Sequence, residues 1–385
     1  MRAPSISQVQ VYLRDYLKNK SVKVEYFGPL SEYGLQGKTS SGEKKDIKSL
    51  GYGIPYLVVY KSGGKKRESI VSSMRVGKGF GHDFRADRID NLVLAFDTWG
   101  DLPKHCKIQD IGAFGKRDSS MTSLGQAGEF FVLRPKIEGT EYYKDLDRIS
   151  EKSSLESYDV PRAKTLAEYL VSIHLAKPSK GEEDLYSRKI RDTLGHGECI
   201  FGLADSYPRE ESTDFLRKGE LAQIEKKCVD HRWRLKWDSE RLAQVHGDFH
   251  PWNILFSEDI KRKPTDFLLL DRSRGAFGEP ADDVCALTIN YIFYSLRKHG
   301  RLSGDFRTLY DEFMNTYLKQ SGDSKILEAM PLFYTFRALV IASPLWYPTL
   351  SSKTRRQIFN FAENILDSNS FDPSRINDYL EEHRV

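Results

Sequence analysis

The pattern of apolar residues changes along the chain, and this change constrains the fold more than any other feature. Runs rich in β-branched and aromatic residues, which suit β-strands, occupy residues 22–26, 56–60, 69–75 and 130–133. From Pro161 onward, apolar residues recur at helical spacing instead. We therefore expect a strand-rich first part followed by a mainly helical part.

One turn in the strand-rich part has a clear local signature. The segment KSGGKK lies between the second and third strand-like runs, and Gly63 and Gly64 supply the positive φ angles of a tight hairpin turn. The sequence therefore predicts an antiparallel hairpin over residues 56–75.

Size and composition limit the class of protein. A chain of 385 residues exceeds what one compact core usually supports, so two lobes are expected, at residues 1–145 and 146–385. No apolar run reaches the length of a membrane-spanning helix, and the first residues lack the apolar core of a secretion signal. A cytoplasmic protein without a membrane partner is therefore expected. A net charge of +4 is too small to indicate a nucleic-acid partner, and four cysteines without CxxC spacing favour neither a zinc site nor a disulfide framework.

The segment QVHGDFHPWNILF at residues 244–256 carries the strongest chemical signal. An Asp on a rigid loop can accept or orient the proton of a substrate hydroxyl, and Asp248 occupies this position. Asn253, five positions later, can turn back toward a metal that holds nucleotide phosphates. Asp271 follows the apolar run FLLL, so its carboxylate is presented at a strand end where it can bind the same metal. His246 is interpreted as a residue that positions the loop rather than as a proton carrier.

These motifs resemble a known superfamily. HGDFHPWN and the later LLLDRSRGAFGEPADDV are similar to the motifs of the aminoglycoside phosphotransferase and choline kinase superfamily. The resemblance implies a bilobal, protein-kinase-like α+β fold that uses ATP as co-substrate with Mg²⁺, two ions being expected. It also implies that Asp248 is the catalytic base, that Asn253 and Asp271 bind magnesium, and that Asp283 supports the catalytic loop from a helix start.

The N-terminal lobe offers candidates for nucleotide binding. Gly51 and Gly53, just before the strand-like run at 56–60, are candidates for a loop over the phosphates, although the same glycines suit a plain turn. The stretch 28–37 competes for this role. Arg75 is the candidate for clamping the α- and β-phosphates, since a guanidinium can bind phosphate oxygens bidentately, and a strand-end Arg is also commonly just solvated. Its expected partner is Asp87, with Asp83 and Asp90 as alternatives on the same helix face.

The link between the lobes is expected at residues 130–139. The segment FFVLRPKIEG resembles the strand and hinge that receive adenine through backbone groups, and Arg134 and Lys136 mark its span.

The acceptor is less specified than the mechanism. Candidate acceptor-binding residues follow the metal-binding Asp or lie on later helices: Arg274, Glu279, Asp282, Arg337 and Trp346. Arg272 and Arg274 bring positive charge toward the site, or pair with the nearby acidic residues. The sequence therefore indicates a small-molecule kinase acting on an amino alcohol, a sugar or an aminoglycoside-like compound. An atypical protein Ser/Thr kinase and a non-catalytic nucleotide-binding pseudokinase are the alternatives.

Overall fold

The computed structural model describes residues 4–33, 53–74, 85–115, 120–122, 127–178 and 183–382. The chain divides into two compact units. The first comprises Met1–Asp101 and His105–Ile137, and the second comprises Leu102–Lys104 and Glu138–Val385. The division falls inside the expected hinge at 130–139 and before Asp145, so the lobe boundary at Asp145 stays a prediction.

The first unit is built on one antiparallel sheet. Its strands are β1 (Lys23–Pro29), β2 (Gly53–Ser62), β3 (Lys65–Met74), β4 (Asp110–Gly115), β5 (Met121–Thr122) and β6 (Ala127–Pro135). They lie in the order β1-β2-β3-β6-β4-β5, and every neighbouring pair is antiparallel. Helices α1 (Ile6–Tyr16) and α2 (Arg85–Thr98) accompany them.

The predicted hairpin is confirmed. Strands β2 and β3 pair from Gly53 with Met74 to Ser62 with Lys65. Gly63 and Gly64 form the turn with φ angles of 56° and 75°, which a residue without a Cβ adopts at no steric cost. The turn therefore fixes the register of the pair.

Side chains alternate between the two faces of this sheet. On β2, Val58 and Tyr60 pack with Val9 and Leu13 of α1, whereas Leu57 joins a separate apolar cluster. This period of two is what a strand imposes on successive residues. Helix α1 therefore covers the face that Val58 and Tyr60 share.

The second unit is mainly helical. Its helices are α3 (Tyr142–Lys152), α4 (Asp159–His174), α5 (Glu183–Gly195), α6 (Ile200–Ser206), α7 (Glu220–Leu235), α8 (Pro280–His299), α9 (Gly304–Ser321), α10 (Ile326–Ala342), α11 (Ser352–Leu366) and α12 (Ile376–Tyr379). Short strands interrupt them: β7 (Thr140–Glu141), β8 (Ala243–Gln244), β9 (Ile254–Phe256), β10 (Phe267–Leu269) and β11 (Phe277–Gly278). The expected fold class, a β-rich N-terminal part and a larger helical part of protein-kinase-like type, is confirmed by this order of elements.

Helix α8 forms the centre of the second unit. Residues 280–296 of this helix are buried, and it packs against α9 and α10. Pro280 occupies the first turn, where its missing N–H costs nothing, and the Glu279 side chain caps the helix by accepting a hydrogen bond from the backbone N–H of Ala281. These two features define where α8 begins. No helix in the described ranges is long and apolar enough to cross a membrane.

Two small sheets shape the segment between β8 and α8. Strand β9 pairs with both β10 and β7, and β11 pairs back with β8. The loop at 245–253 connects β8 to β9, and residues 270–276 connect β10 to β11. Because β8 pairs with β11 and β9 pairs with β10, the two connections lie side by side.

Candidate active site

The loop at 245–253 is fastened to the start of α8 by one carboxylate. Asp283, whose side chain is fully buried, accepts hydrogen bonds at 2.7 Å from the backbone N–H groups of both His246 and Gly247. Burial by itself raises the pKa of a carboxyl group, but hydrogen bonds from His174 and from the His246 backbone favour the ionised form. The pKa of Asp283 is consequently lowered from its ordinary value. The loop thus has a charged, rigid support.

A second layer holds Asp283 itself. The His174 ring on α4 lies with Nε2 3.3 Å from the Asp283 carboxylate, and its Nδ1 lies 2.8 Å from the hydroxyl of Tyr317 on α9. With Nε2 donating to the carboxylate, Nδ1 accepts from the tyrosine, which fixes the ring orientation. Three helices therefore converge on the loop support.

Gly247 occupies a position that only glycine fits. Its φ angle is +82°, and a Cβ atom there would lie 2.2 Å from the backbone oxygen of Ser273. The close approach is part of the contact between the two connections, since Ser273 donates its N–H to the carbonyl of His246 at 3.0 Å. Glycine in the HGD motif is thus a packing requirement.

The Asp248 carboxylate is engaged on both oxygens. Arg337 Nη1 lies 2.8 Å from Oδ1, and His250 Nε2 lies 3.2 Å from Oδ2. Burial raises the pKa of Asp248, but the neighbouring His250 and the guanidinium groups of Arg337 and Arg274 lower it by more. The pKa of Asp248 therefore lies well below its ordinary value. Asp248 is therefore ionised and oriented, with about a quarter of its side chain exposed.

The two histidines of the loop have different surroundings. Burial lowers the pKa of His246, so its ring is neutral, and Nδ1 accepts the Asp248 N–H at 3.3 Å. His250 accepts the Trp252 N–H on Nδ1 at 3.2 Å, which leaves its Nε2 proton to face Asp248. His246 thus binds the backbone of its own loop, and its role in positioning that loop stays a prediction. The His250 contact with Asp248 was not predicted, although the second His of HGDFH is its sequence signal.

Asn253 and Asp271 carry oxygen atoms suited to a hard cation. Asn253 Nδ2 donates to the backbone oxygen of Asp248 at 3.0 Å, so its Oδ1 is the atom left to bind a metal. Leu270 donates its N–H to the Asn253 carbonyl at 2.9 Å, which places the next residue, Asp271, beside Asn253 along the backbone. The exposed Asp271 side chain pairs with no other side chain in the part of the chain that the structure describes, and its φ angle is +53°.

This donor set fits Mg²⁺ better than a transition metal. Carboxylate and amide oxygens are the protein ligands of magnesium, which usually keeps several waters and takes its remaining ligands from phosphates. Among the described residues there is no cluster of three or more His, Cys, Asp or Glu side chains that would enclose a metal by itself. Asn253 and Asp271 could therefore supply part of a Mg²⁺ coordination shell whose other ligands come from water or phosphate.

Two arginines share one aspartate next to Asp248. Arg337 Nη2 lies 2.5 Å from Asp282 Oδ1, and Arg274 Nε lies 3.3 Å from Asp282 Oδ2. Arg274 also donates to the carbonyl of Gly247, and both guanidinium groups lie near the Phe336 ring. We call Asp248, Asp282, Arg274 and Arg337 the Asp248 group. It contains two positive and two negative charges.

Glu279 belongs to a different group. Its carboxylate binds the Arg241 guanidinium through Nε at 2.9 Å and Nη2 at 2.5 Å and accepts the Tyr186 hydroxyl at 2.7 Å. Arg241 also donates to Asp323 at 2.8 Å. We call these four residues the Glu279 group. None of its contacts within the described part of the chain involves Asp248, so the predicted acceptor residue Glu279 is engaged by Arg241 and Tyr186 instead.

The remaining predicted residues are placed as follows. Arg272 donates to the carbonyls of Val245 and Ala276 at 3.0 and 2.7 Å, so it ties the two connections together. Trp346 lies half-buried in the segment after α10. Lys189 on α5, which was not predicted, donates to the carbonyl of Arg274, and burial lowers the pKa of its amine.

Most nucleotide-binding predictions stay predictions. Gly51, Arg75 and Asp83 lie outside the described residues, and so does the side chain of Asp87. Asp90 lies exposed on α2, and Gly53 begins β2. Arg134 is buried on β6, opposite Ile70 of β3, and Lys136 Nζ lies 3.7 Å from Glu68.

Comparisons with known proteins give fold similarity only. No protein-family model matches the chain, and no curated protein sequence matches it. A Plasmodium vivax ethanolamine kinase is similar in structure, with 12% identity, a TM-score of 0.42, and coverage of 85% of this chain and 77% of that chain. A microcompartment-associated aminopropanol kinase has 14% identity and a TM-score of 0.42, with 89% and 99% of the two chains covered.

A third solved structure is a spectinomycin phosphotransferase in complex with ADP and spectinomycin. It has 9% identity and a TM-score of 0.44, with 98% of each chain covered. All three are kinases or phosphotransferases by name. At these scores the likeness carries no weight for activity, which has to be inferred from the site itself.

Proposed function

We propose that the chain is an ATP- and magnesium-dependent phosphotransferase that moves the γ-phosphoryl group to a hydroxyl of a small molecule. One observation carries this proposal. An ionised, oriented Asp248 carboxylate sits on a loop fixed by Asp283, and Asn253 is folded back onto the same residue. Such a combination of a hydroxyl-orienting carboxylate with an adjacent hard-oxygen site is what phosphoryl transfer requires.

Catalysis would depend mainly on positioning. Phosphoryl transfer proceeds through a loose transition state, so the protein has little covalent chemistry to perform. Asp248 would accept a hydrogen bond from the acceptor hydroxyl and hold its oxygen in line with the transferred phosphorus. Its low pKa makes it a weak base, so its part in the reaction is to orient the hydroxyl and receive the proton as the new bond forms.

Asn253 Oδ1 and the Asp271 carboxylate would hold the metal. When bound, Mg²⁺ neutralises negative charge on the phosphate oxygens. Asp271 is suited to this task because it is exposed and free of ion pairs among the described residues, and Asn253 because its amide nitrogen is already committed to Asp248. We expect two metal ions, and we assign the phosphate contacts to Gly51, Gly53 and Arg75 as proposals that rest on the motif resemblance.

The acceptor need not be cationic. An enzyme that binds a polyamine needs carboxylates free to meet ammonium groups, and the two predicted candidates are already paired. Asp282 is shared by two arginines, and Glu279 is bound bidentately by Arg241. We therefore favour an uncharged or anionic hydroxyl compound, such as a sugar or a hydroxy acid, over a classical aminoglycoside.

A screen for ADP release tests the proposal. The wild-type protein is incubated with ATP, Mg²⁺ and a library of hydroxyl-bearing metabolites, and Asp248→Asn serves as the blank. We expect acceptor-dependent ADP release by the wild type alone. Phosphate incorporation into a protein or peptide panel, with none into metabolites, would favour the protein-kinase alternative instead. Tight binding of ATP and Mg²⁺ with no transfer to any acceptor or to water would favour the pseudokinase alternative.

A further inference from the structure

Arg337 lies in a helix that otherwise contributes to the apolar core. Helix α10 has buried residues along most of its length, and the Arg337 side chain is only 8% exposed. A buried guanidinium is costly unless carboxylates compensate it, so its partners indicate why the charge is there. Those partners are Asp282 at 2.5 Å and the Asp248 carboxylate at 2.8 Å.

Asp282 is shared between two arginines. Arg337 Nη2 lies 2.5 Å from Asp282 Oδ1, and Arg274 Nε lies 3.3 Å from Asp282 Oδ2. The other terminal nitrogen of Arg337, Nη1, lies 2.8 Å from Asp248 Oδ1. The Asp248 carboxylate is thus held by a guanidinium that Asp282 fixes from the start of α8.

Arg337 also contacts the loop backbone. Its Nη2 lies 3.4 Å from the Gly247 carbonyl, and Gly247 is the residue whose N–H is bound by Asp283. The Gly247–Asp248 segment is therefore fixed from α8 through its N–H and from α10 through its carbonyl and its carboxylate. A planar guanidinium whose two terminal nitrogens contact different acceptors fixes orientation as well as distance, which a lysine ammonium does not.

We propose that Arg337 is a positioning residue for phosphoryl transfer, acting through Asp248, rather than a ligand of the acceptor. This inference rests on the proposed function and changes the sequence-based assignment of Arg337 as an acceptor-binding residue. Arg337 orients the Asp248 carboxylate before the acceptor binds. The binding energy of the acceptor is then not spent on ordering Asp248.

Three variants separate positioning from acceptor binding and from a purely structural role. Arg337→Met removes the guanidinium, and Arg337→Lys keeps the charge but not the fork. Arg241→Lys is the matched control, because Arg241 is an equally buried arginine before β8 that binds Glu279 and has no contact with Asp248 within the described ranges. For each variant, kcat per folded molecule and the KM values for ATP and for the acceptor are measured. The folded fraction and the binding of Mg²⁺-ADP are determined independently.

We expect Arg337→Met to lower kcat by about 10²-fold, the scale of a catalytic group displaced by an ångström, with both KM values and ADP binding nearly unchanged. Arg337→Lys should recover part of the loss, and Arg241→Lys should keep kcat. An increase in acceptor KM with kcat unchanged would make Arg337 an acceptor ligand and overturn the proposal. A loss of kcat no larger than that of Arg241→Lys would make its role structural and overturn it as well.

Failure of the proposed function would look different. ATP hydrolysis with water as acceptor needs no identified acceptor, so the kcat values of the wild type and the three variants can be compared on that reaction. A wild type that turns over neither with metabolites nor with water contradicts the proposed function and this inference together. If the wild type turns over ATP and Arg337→Met does so with the same kcat, the result contradicts the role of Arg337 alone. If Arg337→Met fails to fold, Arg337→Lys is compared with Arg241→Lys instead, and the same kcat and KM results decide the role of Arg337.

Discussion

Two buried ion-pair groups lie at the start of α8, and they differ in where their contacts lead. The contacts of the Glu279 group lead to helix starts, because Glu279 accepts the Ala281 N–H at the start of α8 and Asp323 accepts the Ile326 N–H at the start of α10. The Asp248 group opens onto the loop, because Arg337 joins Asp282 to a partly exposed Asp248. Both groups pair arginine with carboxylates, and each has one partly exposed carboxylate, Asp323 in the first and Asp248 in the second. The comparison teaches that a partly exposed carboxylate in such a group indicates function when it lies on a constrained loop instead of capping a helix.

The most severe test of this comparison removes the partly exposed carboxylate of Asp248. Asp248→Asn deletes the carboxylate charge while keeping the shape of the side chain. We expect kcat to fall by about 10²- to 10⁴-fold, the range found for a general base, while Mg²⁺-ADP binding measured by calorimetry stays within a few-fold of the wild type. Substantial residual turnover would show that Asp248 is not the residue that handles the acceptor hydroxyl.

Asp271 lies outside both groups and tests the metal assignment. Asp271→Ala should raise the Mg²⁺ concentration needed both for turnover and for tight ADP binding, because one oxygen ligand is lost. Asp266→Ala is the control, since Asp266 is an exposed aspartate before the other end of β10, next to Lys263. Mg²⁺ titrations of ADP binding by calorimetry compare the two. Equal Mg²⁺ dependence in both variants would remove Asp271 from the metal site.

Asp283 shares one feature with each group. It is buried like Glu279, and it fastens the loop that carries Asp248. Asp283→Asn should lower the free energy of unfolding by about 1–3 kcal/mol, the cost of leaving buried donors poorly paired, and should lower kcat as well. Chemical denaturation and steady-state kinetics measure the two effects.

The same carboxylate predicts a pH dependence of stability. The folded-state pKa of Asp283 is below its ordinary value, so its contribution to stability is fully present above the unfolded pKa and is lost as the pH falls through the folded pKa. The acid-side decline in the free energy of unfolding should therefore be shallower in Asp283→Asn. An identical decline in both proteins would contradict this assignment.

The smallest effect on turnover is expected in the Glu279 group. Arg241→Met leaves Glu279 buried without its guanidinium, and breaking such a pair costs about 3–5 kcal/mol of folding stability. The kcat per folded molecule should nevertheless stay close to that of the wild type, because none of the described contacts of this group reaches Asp248. Thermal unfolding and kinetics on the same samples check both parts. A selective loss of kcat would break the distinction between the two groups.

The sequence predicted the features that depend on neighbouring residues. The Gly63–Gly64 hairpin, the order of strands before helices, and the adjacency of Asp248 and Asn253 all follow from local spacing. Helix α1 was not predicted, although Ser5 and Gln8 form a capping box just before its apolar positions.

The ion-pair contacts could not be read from the sequence in the same way. Arg337 and Asp248 are 89 residues apart, and nothing in either local pattern specifies that α10 delivers a guanidinium to the loop. For the same reason, the sequence left open whether Asp282 and Glu279 meet an acceptor or internal arginines. Pairing across helices depends on packing, which periodicity does not encode.

The most direct measurement is the fate of the γ-phosphoryl group. ATP labelled at the γ-phosphate is incubated with Mg²⁺ and a mixed extract of metabolites and proteins, using wild type and Asp248→Asn proteins that bind ADP equally well. The account predicts label in small phosphorylated hydroxyl compounds with the wild type and none above background with the variant. Label confined to protein, or equal label with both proteins, would contradict it.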